Sequence, residues 1–545
     1  TKYCRLVMQH TDNKTVVEIA DLTGQYWDRT IHYVVSMSVR RGEIFVIMGR
    51  SGAGKSTLLR HILGLEQPAA GRVELLGMDL TGASRKDILA LRKQIGVAFQ
   101  NGALLGSLSL IENVELPLRR DTRLNDTTVG IMSRMKLELM GLGGFEHLMP
   151  SQLSGGMLKR AGLARAVVMD PKILFFDEPS AGLDPITSAE LDELILKLRA
   201  ALGITIVIIT HELQSALAIA DRLAVLEAGR FLMIGSVQEV KASEDPRIRS
   251  LLGRMPHKEN IYSDAYLNRL TTRSRTATMT RSGRYQSIEV LGERVLDFVK
   301  DTGRFGLFLL TSGSYALVPP YEFKGIVAQI RFIGSRSLFL VATAGTFIGM
   351  VVALQFHDTL VRFGSVGLLG SAVGLSLVRE LAPVITGLLV IGRAGSAICS
   401  EIGIMRIEHQ IDALECMAID PYRYLIVPRL VAGIISVPLL GAVFIVCGIL
   451  GGWFVGVVLF GVNQGAYFQG MYETVSGNDL AMGLVKFLLF GILLVWICSA
   501  KGFFLHLDPK GAFGAEGLSR TTTNAVVLSS ILLLFFDYLI SALMV

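Results

Sequence analysis

Five apolar runs, at 337–356, 366–400, 426–460, 484–500 and 523–545, constrain this chain more than any other feature. Each is about long enough to cross a bilayer's hydrocarbon core, which takes roughly 20 residues as a helix. Within lipid every backbone polar group must be satisfied internally, so unbroken apolar runs of this length predict spanning helices. The composition agrees. Hydrophobic residues make up 51% of the chain and charged residues 18%, against roughly 25% charged in ordinary soluble proteins. At 545 residues the chain also exceeds one ordinary domain, so a second unit is expected before the spans. Residues 325–545 carry 12 Lys plus Arg and 12 Asp plus Glu, so the whole net charge of +6 lies in the first 324 residues. Lys324, Arg331 and Arg336 precede the first span, and Lys501, Lys510 and Arg520 lie between the fourth and fifth. Positive-inside bias places both groups on the cytoplasmic side and the C-terminus outside.

Charges inside the runs need a reason, because each costs about 2.5–3.5 kcal/mol or more at the bilayer centre. The stretch 377–403 holds Arg379, Glu380, Arg393 and Glu401. For Arg393 and Glu401, near the cytoplasmic end, helix packing or snorkelling suffices. Arg379 and Glu380 lie toward the outer leaflet just before Pro383, at a depth similar to Lys486 and Asp537. Two readings stand: a polar site for a lipid headgroup made by Arg379, Glu380, Lys486 and Asp537, with a helix break at Pro383 freeing backbone groups to line it, or neutralisation that merely lets the spans insert.

Other segments complete the second half. Residues 292–318 alternate charged and apolar positions at helical spacing (Val295, Phe298, Phe305, Leu309), as expected of an amphipathic helix at the cytoplasmic interface or of a plain linker helix. Between the second and third spans, Ile404, Ile407, Ile411, Leu414 and Met417 mark one face of a continuous helix that Pro421 ends. Its acids Glu408, Asp412 and Glu415 suit a coupling helix pressed on a cytoplasmic partner, the alternative being a solvated loop helix. Residues 265–285 contain five arginines and no acid, a linker first and an anionic-headgroup binder second. The five cysteines (Cys4, Cys399, Cys416, Cys447, Cys498) have no metal or disulfide spacing and read as small hydrophobes. Nothing at the start reads as a signal peptide, so the first half is expected in the cytoplasm.

The first half is built around "EIFVIMGRSGAGKSTLL". A buried strand runs into a Gly-rich loop and a helix, matching GxxxxGKS from Gly49 to Ser56. The backbone N–H groups of Gly49, Ser51, Gly52, Gly54 and Thr57 suit phosphate oxygens, Lys55 reaches the β/γ-phosphates, and Ser56 ligates Mg²⁺. "ILFFDEP" ends a strand with Asp177, a Mg²⁺ ligand, and Glu178, placed to orient and deprotonate the attacking water. "LSGGMLKR" precedes it and "VIITH" puts His211 after another buried strand.

In this order the motifs resemble the ABC-transporter ATPase family over residues 17–252. The resemblance implies that Gln100 is the Q-loop residue contacting Mg²⁺, that Tyr26 (or its neighbour Trp27) stacks on adenine, and that Asp184 is the D-loop acid. It also implies that His211 contacts the γ-phosphate. Ser154, Gly155 and Gly156 then complete the ATP site of a second copy of the chain, so a homodimer is implied. Met157 stands where the commoner signature has Gln. The second half, through "RELAPVITGLLVIGRAGSAICSEIG", "EHQIDALECMAIDPYRYLIVPRLVA" and "GAEGLSRTTTNAVVLSS", resembles the MlaE-type permease family, and the LSGGM form of the signature resembles MlaF-type ATPases. Those systems imply ATP-driven movement of membrane phospholipid at the bacterial inner membrane, with a hexameric periplasmic MCE-domain partner, a small STAS-domain protein on the ATPase and no nucleic acid. Here both parts sit on one chain, a departure from the family's usual separate subunits.

The expected architecture is an α/β P-loop ABC ATPase domain (1–252), a basic linker (253–285) and an all-α membrane domain (286–545) with an interfacial helix and about five spans. The expected cofactors are ATP and Mg²⁺. Two functions remain open: ATP-driven lipid transport, or an ATP-driven mechanical transmitter that remodels a periplasmic partner without passing substrate. A third, a non-catalytic scaffold, fits poorly with an intact Lys55, Asp177, Glu178 and His211.

Overall fold

The computed structural model describes residues 14–26, 29–253, 283–319, 321–507 and 514–544. They fall into two compact units: Thr1–Arg281 with Glu408–Ile419, and Ser282–Ile407 with Asp420–Val545. Most of the basic run at 265–285 lies outside the described residues.

The described residues of the first unit form ten strands: β1 (Thr15–Tyr26), β2 (Arg29–Arg40), β3 (Ile44–Met48), β4 (Ala70–Leu75), β5 (Met78–Asp79), β6 (Ile95–Ala98), β7 (Ile173–Asp177), β8 (Thr205–Thr210), β9 (Arg222–Glu227) and β10 (Arg230–Ser236). Six form a sheet in the order β10-β9-β3-β8-β7-β6, parallel except for β10; the other four form an antiparallel sheet, β2-β1-β4-β5. Strands covered on both faces read as continuous apolar runs, which is why IFVIM and TIVIIT lack polar alternation. Along β3, Ile44, Val46 and Met48 enter a core shared with flanking helices, while Phe45 and Ile47 enter a second core shared with Val17, Ile19, Val39 and Val73 of the antiparallel sheet. The P-loop follows β3, Asp177 closes β7 and His211 follows β8. All three therefore meet at the carboxyl edge of adjacent parallel strands, the usual ligand crevice of open α/β sheets.

The segment Glu408–Ile419 packs with this unit. It differs from the continuous helix expected across 404–417. The second span's helix ends at Ile407, His409 adopts a left-handed φ of 58°, and a separate helix runs Gln410–Cys416. Ile411 and Leu414 are buried as predicted, and Ala413 and Cys416 join the second core. Ile404 is instead 41% exposed on the span.

The described part of the second unit is helical. Five helices have the length and hydropathy of membrane spans: Phe323–Arg362, Val366–Ile407, Tyr422–Leu459, Gly477–Phe503 and Ala515–Met544. Five π-turns interrupt regular α geometry in the first three spans: four contain a charged residue, at Arg331–Ser335, Leu377–Leu381, Ile391–Gly395 and Tyr422–Ile426, and the fifth, Phe454–Leu459, does not. The helix ahead of them, Gly283–Leu317, has an exposed apolar side (Val295, Leu307, Leu310) and a docked one. Its buried Phe308 packs against Tyr422, Phe503 and Phe504, and the Phe305 carbonyl accepts the Trp496 indole N–H at 2.8 Å. The Phe298 side chain lies outside the described residues. A short helix at Gln464–Thr474 joins the third and fourth spans.

Candidate functional site

The P-loop is built by two close backbone approaches. A Cβ at Gly49 would sit 2.3 Å from the Leu226 carbonyl oxygen, and Gly54, which caps the helix Lys55–Ile62, holds a φ of 97°. That left-handed turn directs the first N–H groups of the helix, including those of Ser56 and Thr57, out of its N-terminus. Beneath it His32, fully buried, donates from Nε2 to the Gly54 carbonyl at 3.0 Å. Burial drives the His32 pKa down to about 4, which keeps the ring neutral. No motif signals His32, because the contact joins β2 to the loop across the fold.

Lys55 is 6% exposed. Its ammonium donates to the carbonyls of Gly49 (2.9 Å) and Arg50 (3.2 Å) and pairs with Glu178 at 3.3 Å. The Glu178 carboxylate oxygen here stands where a phosphate oxygen would be met. Glu178 itself has a φ of 51°, unusual for a residue with a side chain, held by its N–H donating to the Ile209 carbonyl at 2.8 Å. Its other oxygen accepts the His211 backbone N–H at 3.1 Å and lies 2.7 Å from His211 Nδ1. Lys55, Glu178 and His211 are thus linked, Lys55 to Glu178 by an ion pair and Glu178 to His211 by hydrogen bonds.

Asp177 is 7% exposed, and its Oδ1 has no hydrogen-bond partner. Burial raises its pKa to about 6. A buried carboxylate oxygen without a donor fits a hard cation, and the Ser56 hydroxyl and Gln100 amide, the other expected ligands, are both exposed. Among the described residues no three His, Cys, Asp or Glu side chains could hold a metal ion by themselves. The fit is to Mg²⁺ completed by nucleotide phosphate and water.

Ser154 caps the helix Gly155–Val167, accepting the Met157 N–H at 3.3 Å, and Gly156 lies beside Thr187 and Leu183. Asp184 caps the next helix through the N–H groups of Ile186 and Thr187, and the Thr187 bonds hold its exposed carboxylate below the usual range. The signature and Asp184 therefore form their own cluster. Met157 takes part only through its backbone, so its departure from Gln leaves the cap intact. The side chains of Tyr26 and Trp27 lie outside the described residues.

The acids of the 408–419 segment are engaged. Asp412, 2% exposed, accepts from Arg60 at 2.5 Å and from His409 at 3.0 Å. Arg92 donates to the Glu415 carbonyl at 3.1 Å, and Glu408 accepts from Gln410 at 2.7 Å. His409 stacks on Phe99, next to Gln100, with ring planes 4° apart. Asp412 and Glu66 raise the Arg60 pKa against the opposing effect of its burial, the largest single contribution.

In the second unit Lys486, fully buried, lies 2.9 Å from both Glu380 and Asp537. The contact to Glu380 is a hydrogen bond, whereas Asp537 Oδ1 is an ion-pair partner without hydrogen-bond alignment. Lys486 also donates to the Arg379 carbonyl at 2.8 Å. Pro383, four residues on, has no N–H to give that carbonyl, so the expected freed backbone group exists and the ammonium fills it. Arg379 turns to a residue the sequence reading missed, Asp479, at 2.5 Å. Asp479 sits in a capping box with Ser476, which makes it look purely structural in sequence. Arg393 donates to the Phe332 carbonyl and Ser337 hydroxyl, and Glu401 pairs with the buried Arg429 at 2.9 Å, as helix packing predicts.

A P-loop, an acid pair at a strand end, an LSGG helix cap and a histidine after the neighbouring strand define an ABC-type ATP-hydrolysing unit joined to a multi-pass helical membrane unit. Comparison with known proteins carries this further. The ABC transporter family model matches residues 33–181, and the model described as Permease MlaE matches residues 326–543. The intermembrane phospholipid transport system ATP-binding protein MlaF of Escherichia coli is 41% identical over 44% of this chain and 88% of its own length. The probable ribonucleotide transport ATP-binding protein mkl of Mycobacterium leprae is 38% identical over 43% of this chain and 68% of its own. Among solved structures, cbiO1 of Clostridium perfringens, part of an ABC transporter complex, is 30% identical over 44% of this chain and 95% of that chain, with a TM-score of 0.40. The chain belongs to the ABC transporter family and fuses an ATPase of the MlaF kind with a permease of the MlaE kind.

Proposed function

We propose that this protein is an ATP-driven phospholipid transporter of the bacterial inner membrane, working as a homodimer of fused half-transporters. The observation that carries the reading is the pairing on one chain: a phospholipid-transport ATPase is matched over 88% of its length, and an MlaE permease model matches 326–543. We assign residues 1–252 to the ATPase, 253–285 to the linker and 286–545 to the permease. In hydrolysis, Lys55 leaves Glu178 for the β/γ-phosphates and the P-loop N–H groups hold the rest of the triphosphate. Glu178 then takes a proton from the water whose oxygen bonds to the γ-phosphorus as the bond to the β–γ bridging oxygen breaks. His211 orients that carboxylate and meets the γ-phosphate. When bound, Mg²⁺ neutralises phosphate charge, and Asp177, Ser56 and Gln100 hold it. Ser154 and Gly156 complete the partner's site, with Tyr26 stacked on adenine. The helix Gln410–Cys416 passes the motion on through Asp412 and its neighbours Glu408 and Glu415. Periplasmic MCE-domain and cytoplasmic STAS-domain partners complete the assembly.

For the lipid, the half-exposed Glu380 and Arg379 are the members of the polar cluster that offer an open side to a headgroup, with Lys486 and Asp537 behind them. A second reading, the mechanical transmitter, draws support from the complete neutralisation of Lys486 inside the unit. Phospholipid retained by the purified full chain decides between them. Stoichiometric lipid that falls in Glu380→Gln, with ATP hydrolysis intact, supports transport; retention identical in variant and native chain supports the transmitter.

A further inference from the structure

The first span opens with three cations, Lys324, Arg331 and Arg336, which orient the span and take no part in the sites described above. Lys324 and Arg331 are seven residues apart, two turns of α-helix, and so share a face. Arg336 lies five residues beyond Arg331, which would turn it away in a regular helix. The π-turn Arg331–Ser335 inserts one residue between them, so five positions act as four and Arg336 returns to that face. Functional sites are where such π-turns concentrate. The three cations line a cavity of about 850 Å³ within the second unit, together with Gln329, Phe332 and Glu401.

No acid among the described residues pairs with Lys324, Arg331 or Arg336. The one carboxylate in the wall, Glu401, is neutralised by Arg429 at 2.9 Å. Phe332 lies under two guanidinium groups, with Arg336 at 5.8 Å and Arg393 at 5.4 Å from its ring centre, which fixes the floor of the cavity. The Gln329 amide is buried at its oxygen without a donor. The other end of the amide, its NH₂ group, is a donor suited to an anion, and Gln329 lines the cavity. Apolar side chains continue along the same helix, with Phe323, Val327 and Phe339 exposed.

We propose that this cavity binds the phosphate of an anionic phospholipid headgroup in the cytoplasmic leaflet, its acyl chains lying along the first span. Three unpaired cations supply the charge, the amide supplies directional bonding, and the adjoining apolar surface accounts for a lipid rather than a soluble anion. The site is separate from the Glu380–Lys486–Asp537 cluster. It rests on the reading of this unit as membrane-embedded with this end cytoplasmic, and it holds whether or not the spans pass lipid.

The test uses the full chain in phosphatidylcholine nanodiscs carrying increasing phosphatidylglycerol, with bound phosphatidylglycerol counted by native mass spectrometry. Removing both guanidinium groups in R331Q/R336Q should weaken binding about 30-fold. R331K/R336K, which keeps the charge, should stay within about threefold, and Arg362→Gln, on an exposed pair with Asp358 at the span's other end, should change nothing. ATP hydrolysis by each variant verifies folding; should the double variant fail to insert, Lys324→Gln alone must still weaken binding. Equal binding by native and R331Q/R336Q chains overturns the proposal, and so does displacement of the lipid by millimolar inorganic phosphate, which would make this a soluble-anion site. Loss of phosphatidylglycerol binding with lipid transport intact supports the site while separating it from the transport reading.

Discussion

Lys486→Met is the most informative single change in the membrane unit. Methionine matches lysine in length and is apolar, so packing is nearly conserved and the loss is electrostatic. Two carboxylates, each 2.9 Å from the lost ammonium, would be left facing each other, and the Arg379 carbonyl would lose its 2.8 Å donor where Pro383 supplies none. Breaking a buried ion pair by deleting one member costs about 3–5 kcal/mol. At about 2–4 °C per kcal/mol for a unit of this size, melting should fall by roughly 6–20 °C. Two of the three tryptophans, Trp453 and Trp496, lie in this unit, so intrinsic fluorescence of the full chain in detergent reports its unfolding. Adding Asp537→Asn to Lys486→Met should recover more than adding Glu380→Gln, because the Asp537 side chain is 14% exposed and that of Glu380 is 47%. Unchanged melting in Lys486→Met would mean that Lys486 does not neutralise the two acids and that water or lipid already solvates both.

In the ATPase unit, Glu178→Gln should lower steady-state hydrolysis by about 10²–10⁴-fold while ATP binding holds or tightens, because Lys55 is released from its 3.3 Å pair; rapid phosphate release by the variant would show that the carboxylate is not the base. The triple change of Glu408, Asp412 and Glu415 to Lys places a cation against Arg60 where Asp412 now lies at 2.5 Å. It should leave ATP binding intact and abolish lipid transport in the full chain; native transport rates would refute the coupling assignment. Mg²⁺ and the proton compete for Asp177, whose pKa stands at about 6. Mg²⁺ affinity should therefore be constant above that pH and fall up to tenfold per pH unit below it, as Mg²⁺ titrations at about pH 5 and about pH 7 would reveal.

The candidate ATP site was legible because phosphate chemistry dictates spacing: Gly49, Lys55 and Ser56 fall on consecutive turns of one loop and helix, and Asp177 and Glu178 adjoin in the chain. The spans were legible because lipid forbids unsatisfied backbone over some 20 residues. What stayed hidden depends on which helices face each other. Nothing local pairs Arg379 with Asp479, a hundred positions away, or brings His32 under Gly54. The break at His409 was hidden for another reason: a left-handed turn normally advertises itself with Gly or Asn, and here a histidine adopts it, held by its ring on Phe99 and its bond to Asp412.

In the proposed mechanism, hydrolysis at Glu178 drives phospholipid movement through the second unit. The most direct measurement places the full chain in proteoliposomes with fluorescently labelled phospholipid and follows the fraction that albumin can extract from the outer leaflet. The extractable fraction should change on adding ATP and Mg²⁺ and stay fixed in Glu178→Gln. ATP hydrolysis by the native chain with no change in the extractable fraction would contradict that mechanism.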